Sequence, residues 1–201
     1  PPIKHNLVKF YLPDTFSPDS LAIPKELSRF QKFNLYLSNR NKAIPGRIDI
    51  KSFSYFFKFL LSCQLKLHTI FTILSQIMQE YLFPISKSRR SLLQPIIGFD
   101  VYRKLIFKYQ PSYTSFFSNH VAGVMHKYWK YLFVNDDYMQ TSNTEKFHAD
   151  SIIKAMHIAD KQLAELLKFS KKFNYTLLVM SSMGQDYIDR GQYIPELFLK
   201  D

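Results

Sequence analysis

A chain of 201 residues, 46% of them hydrophobic, is long enough for one packed domain and too apolar to be disordered. Its single cysteine, Cys63, excludes an internal disulfide framework and a cysteine-based zinc site. The formal charge of +11 suits anionic partners: nucleic acid, lipid headgroups or phosphorylated molecules.

The basic residues are scattered. The densest group, Lys87, Arg89 and Arg90, lies in a Ser-rich stretch, and no zinc-finger or RNA-recognition spacing is present. Much of the charge therefore reads as general surface, with nucleic acid disfavoured. The chain opens Pro1-Pro2 with no signal-like segment and reads as an excerpt from a longer protein. The cysteine usage is compatible with a reducing compartment, and a cytoplasmic setting is the expectation.

In chain order, Leu7 to Leu12 form a short apolar run ended by Pro13-Asp14-Thr15, the pattern of a strand and a loop. Pro24–Lys32 suggests a short helix, since Pro suits the first turn. Residues 20–108 as a whole read as a helical insertion or cap. Within them, residues 50–83 are helical in pattern, interrupted near Ser62–Gln64 and stopped by Pro84. Lys58, Gln64, Lys66 and His68 break residues 53–83 too often for a spanning helix, which needs about 20 apolar residues. A buried helix or hairpin is favoured there, with an interfacial helix as the other reading. Residues 85–98 read as a basic loop and 99–109 as a helix.

Residues 111–185 suggest the core. Tyr113 to Ser118 alternate like a strand, and a helix follows from about His120 to Phe133. Residues 134–147 are polar and loop-like. A long helix spans about His148 to Lys172, with apolar positions Ile152, Ile153, Met156, Ala159, Leu163, Leu166 and Leu167. Tyr175 to Met180 reads as a strand buried on both faces. Strand, helix, helix, strand implies a crossover and parallel strands, hence an α/β fold.

Ligands of open parallel sheets bind at the carboxyl ends of strands. Three polar clusters fall at such ends: Asp14-Thr15, Asn119-His120, and Ser181-Ser182-Met183-Gly184-Gln185. Asn119, Ala122, His126, Trp129 and Phe133 share one helical face. His126 there is either a metal ligand or acid–base group, or a half-buried ring beside Trp129. His120 faces either a site or solvent, with solvent slightly favoured. His5, His68, His148 and His157 show no partner pattern. Asp160 falls inside the apolar arc of its helix, where a carboxylate needs donors, so it either anchors a neighbouring loop or sits at the stripe edge. Ser181 and Ser182 lack the glycine pattern of a nucleophile elbow, and Thr15 is a weaker nucleophile candidate. A Gly184-containing turn also suits anion binding.

On Tyr113–Asn119, His126 with Lys127-Tyr128-Trp129, the helix carrying Asp160, and Leu177–Ser181 leading to Gly184, the chain resembles the later half of alkaline-phosphatase-superfamily phosphodiesterases and nucleotide pyrophosphatases. The resemblance covers a little over a third of the chain. Ser182 and Met183 stand where the family has Asp-His, and Ala122 stands where an Asp would precede His126. The family's nucleophile and first metal ligand would lie upstream of Pro1. The resemblance implies a parallel-sheet α/β domain fragment with an inserted helical region. It implies a metal-assisted hydrolase of phosphate or sulfate esters, with a divalent metal, zinc or manganese, at His126. Asn119, Ser181, Ser182, Gly184 and Gln185 would contact a small anionic ester. Two rival readings remain. One is a degenerate member of the same fold that binds an anionic ligand or partner. The other is a basic module on nucleic acid or a membrane surface, distinguished by steeply salt-dependent binding.

Overall fold

The structure, a computed structural model, describes residues 7–14, 17–40, 65–133, 142–181 and 184. It divides into two compact units, Pro1–Phe117 and Ser118–Asp201.

The described part is 70% helical and contains no strand. This corrects the α/β expectation, and with it the parallel sheet of an alkaline-phosphatase-like core. The one strand-like pairing is an isolated antiparallel bridge. Tyr11 and Ile23 exchange two backbone hydrogen bonds of 2.8 Å, and a cis Ile23–Pro24 peptide follows. Leu7–Leu12 is otherwise irregular.

In the first unit, a 3₁₀ turn at Lys25–Leu27 leads into α1, Ser28–Arg40. Helix α2 is Leu67–Leu82, stopped before Pro84 as the sequence indicates. The stretch expected as a basic loop is instead a 3₁₀ segment, Pro84–Leu92, feeding α3, Leu93–Tyr109. Proline is tolerated at the start of both because the first helical N–H groups have no intrahelical acceptor. The expected break at Ser62–Gln64 lies outside the described residues.

The core joins Ala22, Leu27, Phe30, Leu65, Ile73, Ile97, Val101 and Leu105, with Phe10, Leu12 and Tyr109 packed against it. Asp100, only 5% exposed, accepts the Lys66 backbone N–H at 2.8 Å, with Lys66 Nζ at 4.0 Å and Arg103 Nε at 3.8 Å. A buried carboxylate is tolerated when it is paired and hydrogen-bonded in this way. The same contact ties the start of α2 to the middle of α3.

Residues 113–118 do alternate. Thr114 and Phe116 are half-buried, while Tyr113, Ser115 and Phe117 are exposed. Phe116 packs on α3, its ring 4.9 Å from Tyr102 and 5.4 Å from Phe99. The Tyr102 hydroxyl is pushed up in pKa by burial, an effect partly offset by its hydrogen bond with Thr114. The inward ring of Phe116 rests on a helix rather than on a neighbouring strand, and the segment is coil.

The second unit pairs α4, His120–Tyr128, continued by a 3₁₀ turn at Trp129–Tyr131, with α5, Asn143–Phe173. The pairing is antiparallel. His120 meets the Ala155 carbonyl at one end, and Tyr128 stacks on His148 at 4.3 Å at the other. Helix α5 begins five residues before the expected His148. Ser142 and Glu145 form a reciprocal capping box with bonds of 3.1 and 3.2 Å. It ends at Asn174, whose left-handed φ of 55° suits asparagine.

Tyr175–Met180 is the other correction. Leu178, Val179 and Met180 are exposed, and no strand pairs with them among the described residues. Tyr175 instead turns back onto Phe169, ring to ring at 5.3 Å. A run buried on both faces needs a flanking ladder and two covering layers, and none is present among the described residues.

Candidate functional site

The described residues of the expected site, Asn119, His126, Ser181 and Gly184, are all exposed. Asn119 is the exposed N-cap of α4, and His126 is exposed in that helix's last turn. Seven residues of helix separate them, about 10 Å of axial rise. Ser181 and Gly184 are exposed beyond α5, and Ser182 and Gln185 lie outside the described residues. No group of three His, Cys, Asp or Glu able to hold a metal ion occurs among the described residues. Trp129 packs on Phe133, 4.4 Å between rings.

The remaining candidates separate as follows. Asp160 is exposed at the edge of the α5 stripe. His68 and His157 are exposed, and His148 stacks on Tyr128. His5, Thr15 and Cys63 lie outside the described residues. Asp14 is exposed, and its carbonyl accepts Gln31 Nε2 at 2.6 Å. His120 does not face solvent. Its ring is half-buried, with Nε2 3.1 Å from the Ala155 carbonyl and Nδ1 2.7 Å from Ser118 Oγ. Burial holds its pKa below the ordinary 6.5, an effect partly offset by the Ala155 bond.

Among the described residues of the first unit, α2 buries polar Thr69 and Gln76 beside the core residue Ile73 and leaves most of its large apolar side chains outside. Thr69, Ile73 and Gln76 are its buried residues. Gln76 Nε2 donates to the Ser86 carbonyl at 2.7 Å and to Glu80 Oε1 at 3.0 Å. Glu80 is then clamped by Arg90, whose Nε lies 3.0 Å from both carboxylate oxygens. Burial pulls the Glu80 carboxyl up. Hydrogen bonds from Arg90 and Gln76, with the charges of Arg90 and Lys87, outweigh this and hold it below its ordinary value.

The opposite face is apolar and open. Leu67 is 84% exposed, Phe71 70%, Leu74 60%, Met78 59% and Tyr81 85%. Their spacing of four, three, four and three residues places them in one stripe along the helix. Ile77, Leu82 and Phe83 widen it. Soluble monomers seldom expose contiguous apolar patches beyond a few hundred Å². Eight large side chains at these exposures amount to roughly 1,000 Å², above the ~800 Å² that a standard interface buries on each side.

Charge segregates with this unit. Residues 1–117 carry 17 Lys and Arg against six Asp and Glu, the whole net charge of +11, whereas residues 118–201 carry ten of each. Within Leu67–Leu82 Glu80 is the only Asp, Glu, Lys or Arg, and Arg90 neutralises it. Sequence reasoning placed an interfacial helix here only as a secondary reading, because hydrophobic content alone does not reveal which side a helix buries. The signal available was the 4-3-4-3 apolar spacing opposite Thr69 and Gln76. No helix among the described residues is long and apolar enough to cross a membrane. No protein family, curated protein or solved structure matches the chain.

Proposed function

We propose that the first unit is a basic module that docks on an anionic membrane surface, with α2 lying in the interface. The outward apolar stripe Leu67, Phe71, Leu74, Met78 and Tyr81 is the observation that carries this reading. A helix lying in the membrane plane needs an apolar face to enter the acyl boundary and positive charge to meet the headgroups. The net charge of +11 on residues 1–117 supplies the second requirement.

Magnitudes favour this partner. Each large apolar side chain taken fully out of water is worth about 1.5–3 kcal/mol. Each Lys or Arg brought near an anionic leaflet adds about 1 kcal/mol. Lys66 and Lys87 flank α2 in sequence, and exposed Tyr81 and Phe83 stand at its carboxyl end, where aromatic side chains suit the headgroup level. Nucleic acid would satisfy the charge but would leave Leu67, Leu74 and Met78 in water, since bases stack on aromatic rings rather than aliphatic chains.

The test is sedimentation of the full chain with vesicles of phosphatidylcholine plus phosphatidylserine, against phosphatidylcholine alone, at rising salt. Salt-sensitive binding to the anionic vesicles is expected, abolished in Phe71→Ser/Leu74→Gln/Met78→Gln. Absence of vesicle binding, or a dimer that the same triple variant dissolves, would overturn the reading.

A further inference from the structure

We propose that Ser118 and His120 form a nucleophile–base pair that transfers acyl groups from small carboxylic esters. The pair lies wholly within the second unit and is independent of the α2 face.

Two contacts and the burial of the ring define it. The Ala155 carbonyl can only accept, so His120 Nε2, 3.1 Å away, carries the ring proton. Burial favours the neutral imidazole, which leaves Nδ1 as a bare acceptor. Ser118 Oγ, 2.7 Å from Nδ1, therefore donates its hydroxyl proton to the ring. Nucleophile, base and orienting acceptor stand in the order that activates a serine, and such constellations are recognised by geometry and roles rather than by sequence order. The separation of 2.7 Å is within the reach required of a general base.

Two further features suit the chemistry. Ser118 is exposed, so its hydroxyl is open to a substrate. It also lies just before Asn119, the N-cap of α4, whose first intrahelical bond is Gly123 N–H to the Asn119 carbonyl at 3.0 Å. The N–H groups of residues 120–122 precede that bond, and the Asn119 side chain does not cap them. They are the donors nearest in the chain for a developing oxyanion. An ester is the substrate class because its alkoxide leaves readily once protonated, and a backbone carbonyl stabilises the transient imidazolium less than a carboxylate would.

In the reaction, Ser118 Oγ bonds to the ester carbon as its proton passes to Nδ1. The tetrahedral adduct then breaks its C–O bond, and the alkoxide leaves as an alcohol with the Nδ1 proton. Water attacks acyl-Ser118, again giving a proton to Nδ1. Collapse returns that proton to Ser118 Oγ and releases the carboxylic acid. Atoms and protons balance without a metal or redox partner.

The test treats the full chain with a fluorophosphonate probe and maps the modified peptide, alongside hydrolysis of 4-nitrophenyl acetate. Labelling at Ser118 is expected, lost in Ser118→Ala and reduced about 100-fold in rate in His120→Gln, the low end for removal of a general base. Ser115→Ala, which removes an exposed coil hydroxyl, should label as the parent does. Ser118→Ala removes only an exposed hydroxyl and should keep its fold, checked by circular dichroism, so the result stands even where His120→Gln unfolds. No labelling of Ser118, or ester hydrolysis unchanged in Ser118→Ala, would overturn the proposal.

Discussion

Gln76 Nε2 donates to the Ser86 carbonyl at 2.7 Å, and this bond holds α2 with its polar side against the 3₁₀ segment and its apolar side open. The bond is buried, so its loss is not compensated by water. Gln76→Ala should destabilise the first unit by about 1–3 kcal/mol, the cost of a buried polar group losing its partner. Urea denaturation followed by circular dichroism measures this. An unchanged midpoint would mean that another contact orients the helix.

Glu80 predicts an acid response. Its carboxyl titrates below 4.5 in the folded chain, so its contribution to stability is present above about 4.5 and lost as pH falls through the lower folded value. Glu80→Gln should flatten the acid limb of the melting-temperature profile. At neutral pH the exposed Arg90 partner limits the pair to about 0–1 kcal/mol.

His120 acts in a higher pH window with the same sign. Its folded pKa lies below 6.5, so the neutral ring stabilises the second unit fully above about 6.5. That contribution is lost as pH falls from there through the folded value, because protonation of the buried ring is more costly than in the unfolded chain. Protection factors at Val124 and Ile152, corrected for the intrinsic pH dependence of amide exchange, should fall as pH drops below about 6.5. His120→Gln should remove that extra sensitivity.

Ser142→Ala should fray the start of α5 and cost about 1 kcal/mol, since it removes the acceptor for the Glu145 N–H. Amide exchange over residues 143–147 is the direct readout.

The helices were largely legible because their signals are local. Pro84 ends α2, and the apolar periodicity of residues 152–167 marks α5. The start of α5 was readable too, since Ser142-Asn143-Thr144-Glu145 is a capping-box sequence, but the polar composition of residues 134–147 masked it. The strand expectations failed for a different reason. Tyr113–Ser118 and Tyr175–Met180 carry strand-like composition, and both are irregular. Whether an extended segment joins a sheet depends on a partner elsewhere in the chain, which propensity does not encode. Of the candidate site, Asn119 caps a helix the sequence indicated, whereas Ser181 follows a run that reads as a strand and is not one. The contact of His120 with Ala155 depends on the antiparallel pairing of α4 and α5, 35 residues apart in the chain. The orientation of α2 was likewise hidden, because Thr69 and Gln76 read as a solvent face until Ser86 supplies their side with an acceptor.

The most direct test of the docking account is tryptophan fluorescence of Phe71→Trp in a Trp129→Phe background, with anionic vesicles carrying brominated acyl chains. The account predicts a blue shift on vesicle addition and quenching by the bromines, because residue 71 enters the acyl boundary. Unshifted, unquenched emission from a folded chain in the presence of excess vesicles would contradict it.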